Sequence, residues 1–491
     1  MQRHRGARAG VTAAGGDCGR RKTVVNHTIA SAALDALQQW GNHPCLVELR
    51  DAKNALPVSA DELRRRILDA SAQLSRWGLQ RGTLVALFLE NSIDFVVILL
   101  ALVRLKAVPV FGKLEYRTLE LNEVFENSNP PVVISEQHHL SLLEPYLRGR
   151  TVISRTDQAV RLVQQRAEPA EPADLADEVA SVNYTYRGYG YPLGALVSHQ
   201  QYLDGARVLQ EEGLQAASGD RMLYSIPMSH IFTLVGCIMV PLLYGLTGII
   251  ARTIHPRVLF DAIDELRIQH VTAVPELYAL LRRAAGDSTQ LPSLQAFVCG
   301  GSVLSDSEYH ALRETFGVEV LHGYGLTEFT PVSRNSRGKA RAGTVGPVCQ
   351  GVECRIDSKD GSAAGEILVR TGSMSAGYYR RPRESRQSRA GDWLRTGDIG
   401  HFDGDHLVFD AEVKLTCKVN GVIVDLEEIR RALCLDPDIA DAIVRAHQNS
   451  VEAEIVPARH FALNEKISQI RASLKQLLAP YKVPKTINLQ R

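Results

Sequence analysis

LVALFLENSIDFVVILLALVRLKA, Leu84–Ala107, is the stretch whose reading decides the fold. Its opening, LVALFLE (Leu84–Glu90), is a short apolar run of the kind a strand buried on both faces shows. The run after it is too long and too evenly apolar for a second strand. With Asn91 or Ser92 as a cap, it reads as a buried helix. PVVIS (Pro131–Ser135) supplies the next strand. Strand, helix and strand in alternation imply right-handed crossovers and a mainly parallel sheet. The longest apolar run, Phe95–Val103, is far short of the roughly 20 residues that cross a bilayer, so no membrane span is expected.

Working outward, Leu63, Ile67, Ala70, Leu74 and Trp77 recur at helical spacing between Asp61 and Gly78. The first 25 residues are rich in Arg and Gly and lack an apolar core. They are no secretory signal, and composition favours a disordered basic extension over a transit peptide. Towards the C-terminus, Glu168–Ala180 reads as an exposed connection. HVTAVP (His270–Pro275) and AFVCGGS (Ala296–Ser302) then resume the strand pattern. Ser305 and Glu308 form a candidate capping box, and VEVLHGYGLTE leads a strand into a loop. Beyond about Asp410 the texture changes to a small α+β unit. There Asp425 caps LEEIRRAL, DAIVRA and EAEIVPA read as strands, and a last helix turns Ile467, Ile470, Leu474 and Leu477 to one side. The expected fold class is α/β: a large N-terminal domain of mainly parallel sheets flanked by helices over 26–413, and a small mobile α+β domain over 414–491.

The chain has 491 residues, 45% of them hydrophobic and 23% charged, with a formal net charge of +1. No global field recruits nucleic acid. Eight cysteines are scattered without CxxC spacing, which argues against zinc and against a disulfide framework. Several sit in apolar runs, as reduced core residues of a cytoplasmic protein do.

Chemistry concentrates in glycine-bearing loops. Thr185–Gly194 (TYRGYGYPLG) comes after a strand-like lead, and its glycines free backbone N–H groups to cradle an anion. Taken alone it is equally well a tight turn. Gly300, Gly301 and Ser302 come after a second strand. Gly323, Tyr324 and Gly325 come after a third, with Thr327 and Glu328 behind them. Ligands of open α/β sheets sit outside the carboxyl ends of strands, where such loops gather. Tyr324 offers a ring to a base, Thr327 a hydroxyl to phosphate and Glu328 a carboxylate to Mg²⁺. Asp398, in WLRTGDIG, is an acid at a turn suited to gripping a diol such as ribose. Together these outline a nucleotide pocket.

GYGLTE and RTGD, with GEILVRTGSMSAGYY (Gly365–Tyr379) and PMSHIFTLVG (Pro227–Gly236), resemble the adenylate-forming enzymes: acyl- and aryl-CoA ligases, firefly luciferase and peptide-synthetase adenylation domains. The resemblance spans about residues 45–485. It implies an acyl-CoA synthetase-like fold. It also implies that a small carboxylic acid attacks the α-phosphate of ATP·Mg²⁺, releasing pyrophosphate. The acyl group then passes to coenzyme A or to the phosphopantetheine arm of an acyl carrier protein. By matching motifs, Thr185, Gly188 and Gly190 belong at the pyrophosphate, Thr327 at the α-phosphate and Glu328 at the metal. Tyr324 flanks adenine, Asp398 holds ribose, and His230 gates the acid pocket. Lys414, in DAEVKLTCKVNG, matches the hinge about which the C-terminal domain swings. A homodimer is compatible with this family.

The chain departs from the pattern in three places. The family's phosphate loop, Y-T-S-G-T-T-G-x-P-K-G, here reads YTYRGYGYPLG. Either Arg187 restores the positive charge lost at Leu193, in a fork that lysine cannot make, or Tyr186 and Tyr189 narrow the loop. Glu412 replaces an arginine that helps hold ribose. The family's last motif carries a lysine bridging acid and α-phosphate, and Arg491 stands before that position; Lys482 and Lys485 belong to the approach. If Arg491 ends the chain, slow adenylation with surviving thiol transfer is the expectation, because a cation at developing charge is worth several kcal/mol. The alternative to a working acid–thiol ligase is therefore a nucleotide-binding homologue or partner subunit with impaired turnover. A dinucleotide-dependent dehydrogenase fits poorly, because the helix-opening spacing of the loop is wrong and no acid stands in the fitting place about 20 residues on.

Overall fold

The computed structural model describes residues 27–51, 54–168, 171–286, 289–358, 361–412, 416–458 and 463–489. The basic extension and Lys414 lie outside the described residues.

Leu84–Phe88 is a strand with every residue buried. Ser92 caps the next helix, Ile93–Arg104, accepting a hydrogen bond from the Phe95 N–H at 3.2 Å. Phe95 to Val103 is buried without a break, which is why the segment shows no amphipathic period. The strand ends at Phe88 and the helix at Arg104, the latter short of Ala107 because Val108–Phe111 forms a further parallel strand beside Leu84–Phe88. The resulting sheet has seven strands, antiparallel only at its two edges, where Val160–Gln164 pairs with Thr151–Arg155 and Leu193–Ser198 with Val179–Thr185. A second sheet of eight strands is likewise parallel through its centre, from Glu319–Tyr324 to Pro44–Asp51. The apolar helix lies in the core the two sheets share, with Val85 and Leu87 on one side and Leu46, Tyr224 and Ile250 on the other.

The expected amphipathic helix runs Ala60–Arg76, with Leu63, Ile67 and Leu74 buried. Only half of the expected capping box forms. The Ser305 hydroxyl accepts from the Glu308 N–H at 3.2 Å, but the Glu308 carboxylate turns to Arg282 at 2.9 Å, a stronger charged partner than a backbone N–H. A smaller antiparallel sheet carries Gly365–Thr371, Trp393–Asp403 and His406–Glu412.

The last unit has its own core, built from Val424, Ile429, Leu433, Ile455, Ile470 and Leu474. Its hairpin Thr416–Val419/Val422–Asp425 leads into the helix Leu426–Leu433, with Asp425 accepting from the N–H groups of Glu427 and Glu428. Among the described residues seven free cysteines occur, four of them buried. Among the same residues, no helix is long and apolar enough to cross a membrane.

Candidate active site

The carboxyl ends of the central strands of the eight-stranded sheet open on one cavity. Gly300 and Gly301 line it after one strand, and Gly323, Tyr324 and Gly325 line it at the end of the next. Gly323 and Tyr324, expected after that strand, are its last two residues, paired with Arg334 and Ser333, and Gly325 comes after it. Gly325 has no room for a side chain, since a Cβ there would lie 2.3 Å from the Thr330 hydroxyl. Thr327, Glu328 and His230 complete that wall, Thr185 and Arg187 enter from the seven-stranded sheet, and Asp398 comes from the small antiparallel sheet. Residues belonging to separate motifs thus share one space.

Tyr324 and Asp398 are in direct contact. The phenol donates to Asp398 Oδ2 at 2.6 Å, and both residues are buried. Asp398 is held further by its own N–H, which donates to the Thr396 hydroxyl at 3.0 Å. The Tyr324 ring packs against Phe409, with centroids 6.0 Å apart. Thr327 is fixed through its carbonyl, which accepts from Gln201 Nε2 at 3.0 Å.

The TYRGYGYPLG loop is the turn of an antiparallel hairpin in which Thr185 pairs with Leu193. Of turn and anion cradle, the turn is what the backbone shows. Gly188 and Gly190 both have φ near +80°, which glycine alone adopts at no steric cost. Neither glycine lines the cavity. Gly190 faces the C-terminal unit instead, where its N–H donates to Asp425 Oδ2 at 3.1 Å and its carbonyl accepts from Arg431 Nη1 at 3.3 Å. A carboxylate thus sits where an anion is expected. Ser302 is turned away as well, its hydroxyl donating to Glu276 at 3.0 Å. Leu193, which replaces the family's lysine, is fully buried.

Arg187 and Glu328 form a buried ion pair, Nη1 to Oε1 at 3.2 Å, with side chains 7% and 4% exposed. Arg187 Nη2 also donates to the Arg395 carbonyl at 2.5 Å, and the Tyr378 hydroxyl donates to the same Glu328 oxygen. Glu328 is the residue expected to bind Mg²⁺. The donor set around it disfavours a divalent ion: a guanidinium and a phenol both donate to Oε1, which places a permanent positive charge at the carboxylate a metal would use.

His230 caps a short helix, its Nδ1 accepting from the Phe232 N–H at 3.3 Å, so the ring proton resides on Nε2. Burial, with Lys113 and Lys418 nearby, pushes its pKa down to about 3. Burial likewise takes His322 down to about 4. Both rings are therefore neutral at ordinary pH. Folded-state values below the usual 6.5 mean that each contribution to stability is present above that pH and lost as pH falls. Each neutral ring adds about 1.4 kcal/mol of instability per pH unit below 6.5. Urea unfolding midpoints should thus drop on acidification from pH 6.5 to 5, and less steeply in His322→Asn; an unchanged slope would refute the assignment.

Four participants carry no sequence signal that singles them out. Tyr378 lies in a family block that gives it no role, and Lys418 lies beside the expected hinge. Lys418 reaches the cavity on the hairpin of the C-terminal unit, together with Gly421 and Ile423. Arg334, 7% exposed, lines the cavity with an Nε that lacks a hydrogen-bond partner, and its nearest carboxylate, Glu212, is 3.9 Å away. Lys482 is the fourth. Its fully buried Nζ donates to Glu120 at 2.7 Å, to the Tyr186 hydroxyl at 2.6 Å and to Glu428 at 2.5 Å. One ammonium thereby ties the C-terminal unit to the glycine loop.

A family model described as AMP-binding enzyme matches residues 34–379. The chain is 26% identical to 4-coumarate-CoA ligase 1 of Narcissus pseudonarcissus, over 84% of this chain and 80% of that relative. It is 25% identical to 4-coumarate–CoA ligase 1 of Oryza sativa subsp. japonica, over 91% and 85%. Among solved structures, a double mutant of o-succinylbenzoate CoA synthetase from Bacillus subtilis matches with a TM-score of 0.79 at 20% identity, covering 94% of each chain. The amide bond synthetase McbA from Marinactinospora thermotolerans also gives 0.79, at 22% identity, with 95% and 96% covered. At these identities the two structures establish a common fold.

Proposed function

Because the chain belongs to the AMP-binding enzyme family, we propose that it activates a carboxylic acid as its adenylate and hands the acyl group to a thiol, as CoA ligases of this family generally do with ATP, Mg²⁺ and coenzyme A. The observation that carries the reading is the meeting of Thr185, Arg187, Tyr324, Thr327 and Asp398 on one cavity. In this assignment the Asp398 carboxylate accepts from the ribose hydroxyls, with Tyr324 beside the base. Arg187 and the Thr327 hydroxyl address phosphate oxygens, where fixed donors stabilise developing charge best when water is excluded. His230, neutral and with its proton on Nε2, donates towards the acid. Lys418 closes the site from the C-terminal unit. The assignment of 26–413 and 414–491 as two domains moving about Lys414 belongs to the same proposal.

The cavity also has apolar lining, with Leu209, Met222, Val240 and Leu321 among it, and Arg334 brings a guanidinium to the same space. An aryl or acyl acid with an apolar body and a hydrogen-bond acceptor at its far end suits that chamber. The thiol is coenzyme A or a carrier-protein phosphopantetheine.

The test is pyrophosphate release across benzoates, hydroxybenzoates and fatty acids, with and without coenzyme A. We expect release with at least one acid and acyl-CoA when the thiol is added. Failure across the panel, with no heat on titrating ATP, would overturn the proposal. A second reading has its own support in the Asp425 carboxylate on the Gly190 N–H. Under it the chain transfers acyl groups from a supplied acyl adenylate and releases no pyrophosphate, which the same assay separates.

A further inference from the structure

We propose that Arg187 is a built-in cation that stands in for a divalent metal at Glu328, so that this chain holds nucleoside triphosphate without Mg²⁺. The proposal rests on the nucleotide-activating reading above and deepens it. Arg187 leaves the hairpin turn shortly after Thr185, at a position where the family's loop has glycine. Its guanidinium reaches the carboxylate expected to hold the metal, at 3.2 Å, and both side chains are more than nine-tenths buried.

The surroundings are built to keep it there. The Arg395 carbonyl accepts a second N–H at 2.5 Å, and the Tyr378 hydroxyl donates to the same Glu328 oxygen, Oε1. Glu328 therefore positions the guanidinium. A divalent ion at this carboxylate would meet the charge of an arginine already out of water, and clearing Oε1 for it would separate a buried pair, which is strongly unfavourable.

The chemistry of the replacement is coherent. A guanidinium carries its charge at every pH of interest and presents parallel N–H groups that match two phosphate oxygens. Two of its N–H groups are committed to protein acceptors, and the residue still lines the cavity. Loss of the loop's usual lysine fits the same picture. Leu193 is fully buried in the hairpin, so the loop's cation has moved from the strand to the turn.

The experiment is calorimetric titration of ATP into the full chain, in excess EDTA and in excess magnesium chloride. The wild-type dissociation constants should agree within about threefold, because the charged contact is supplied by the protein. In Arg187→Gly, affinity in EDTA should fall by about tenfold or more, the worth of a charged hydrogen bond, and magnesium should restore part of it. Arg187→Lys, which keeps charge without the fork, should fall between the two. Wild-type binding that weakens more than about tenfold in EDTA would overturn the proposal. Absence of binding in both buffers would overturn it together with the nucleotide reading, a result distinct from the first. The wild-type pair decides the matter even where a variant fails to fold.

Discussion

Lys482→Met should release the C-terminal unit from the glycine loop at a cost of about 3–5 kcal/mol, the usual penalty for stranding buried charges by removing their partner. Lys482 Nζ has no solvent exposure and three partners, and it also lies 4.3 Å from the centroid of the Tyr186 ring. Glu120 belongs to the N-terminal part of the chain and Glu428 to the last unit, so the ammonium bridges two carboxylates that would otherwise repel. Burial already pushes Glu428 up to about 7 even with Lys482 beside it. Burial pulls on the lysine in the opposite direction, but the two carboxylates outweigh it and hold its pKa above the usual value. Methionine keeps the length and apolar bulk and deletes the charge with its three hydrogen bonds. Hydrogen exchange should then rise in Leu426–Leu433 and in the loop 186–192, and the Gly190 N–H should lose protection along with its bond to Asp425. Adding Glu120→Gln should recover part of the loss, because neighbours in one network are not additive. Unchanged protection in both segments would show that the cluster does not dock the unit.

That cluster also shows where sequence reading runs out. Lys482 and Glu120 are 362 positions apart, and no period or spacing connects them. In the sequence Lys482 reads as part of the approach to a motif and Tyr186 as a substitution that narrows a loop. Their meaning emerges only when the C-terminal unit is laid against the hairpin. The strand and helix of Leu84–Arg104 are legible because both are fully buried, and a fully buried element announces itself by continuous apolar character. Glycine turns after strands are legible for a similar local reason, and Tyr324, Thr327, Glu328 and Asp398 do line one cavity.

What those side chains touch is not legible. Arg187 reads as facing phosphate, yet its position against Glu328 depends on two sheets meeting. Gly190 reads as a phosphate donor because local backbone freedom permits that role. It faces helix Leu426–Leu433, so closely that a Cβ would lie 2.9 Å from Arg431 Cδ. Glycine marks a close approach in the sequence without naming what approaches.

Asp398→Ala should weaken ATP binding by roughly 10- to 100-fold, the range for losing hydrogen bonds to a charged acceptor in a buried site. The carboxylate lies at the centre of an antiparallel sheet, opposite Glu412 in register and 3% exposed. Its Oδ2 already accepts from Tyr324, so its orientation is fixed before any ligand arrives. A loss of affinity alone would not separate ribose recognition from damage to that pair, and Tyr324→Phe supplies one control. It removes a single neutral donor and leaves the carboxylate, so affinity should fall by only about three- to tenfold. The decisive comparison is 2′,3′-dideoxy-ATP. Wild type should bind it far more weakly than ATP, because a buried carboxylate would face apolar carbon where hydroxyls belong. Asp398→Ala has no such acceptor and should bind both nucleotides about equally. A mutant that still discriminates as wild type does would remove Asp398 from the ribose, and with it the placement of the nucleotide across Tyr324.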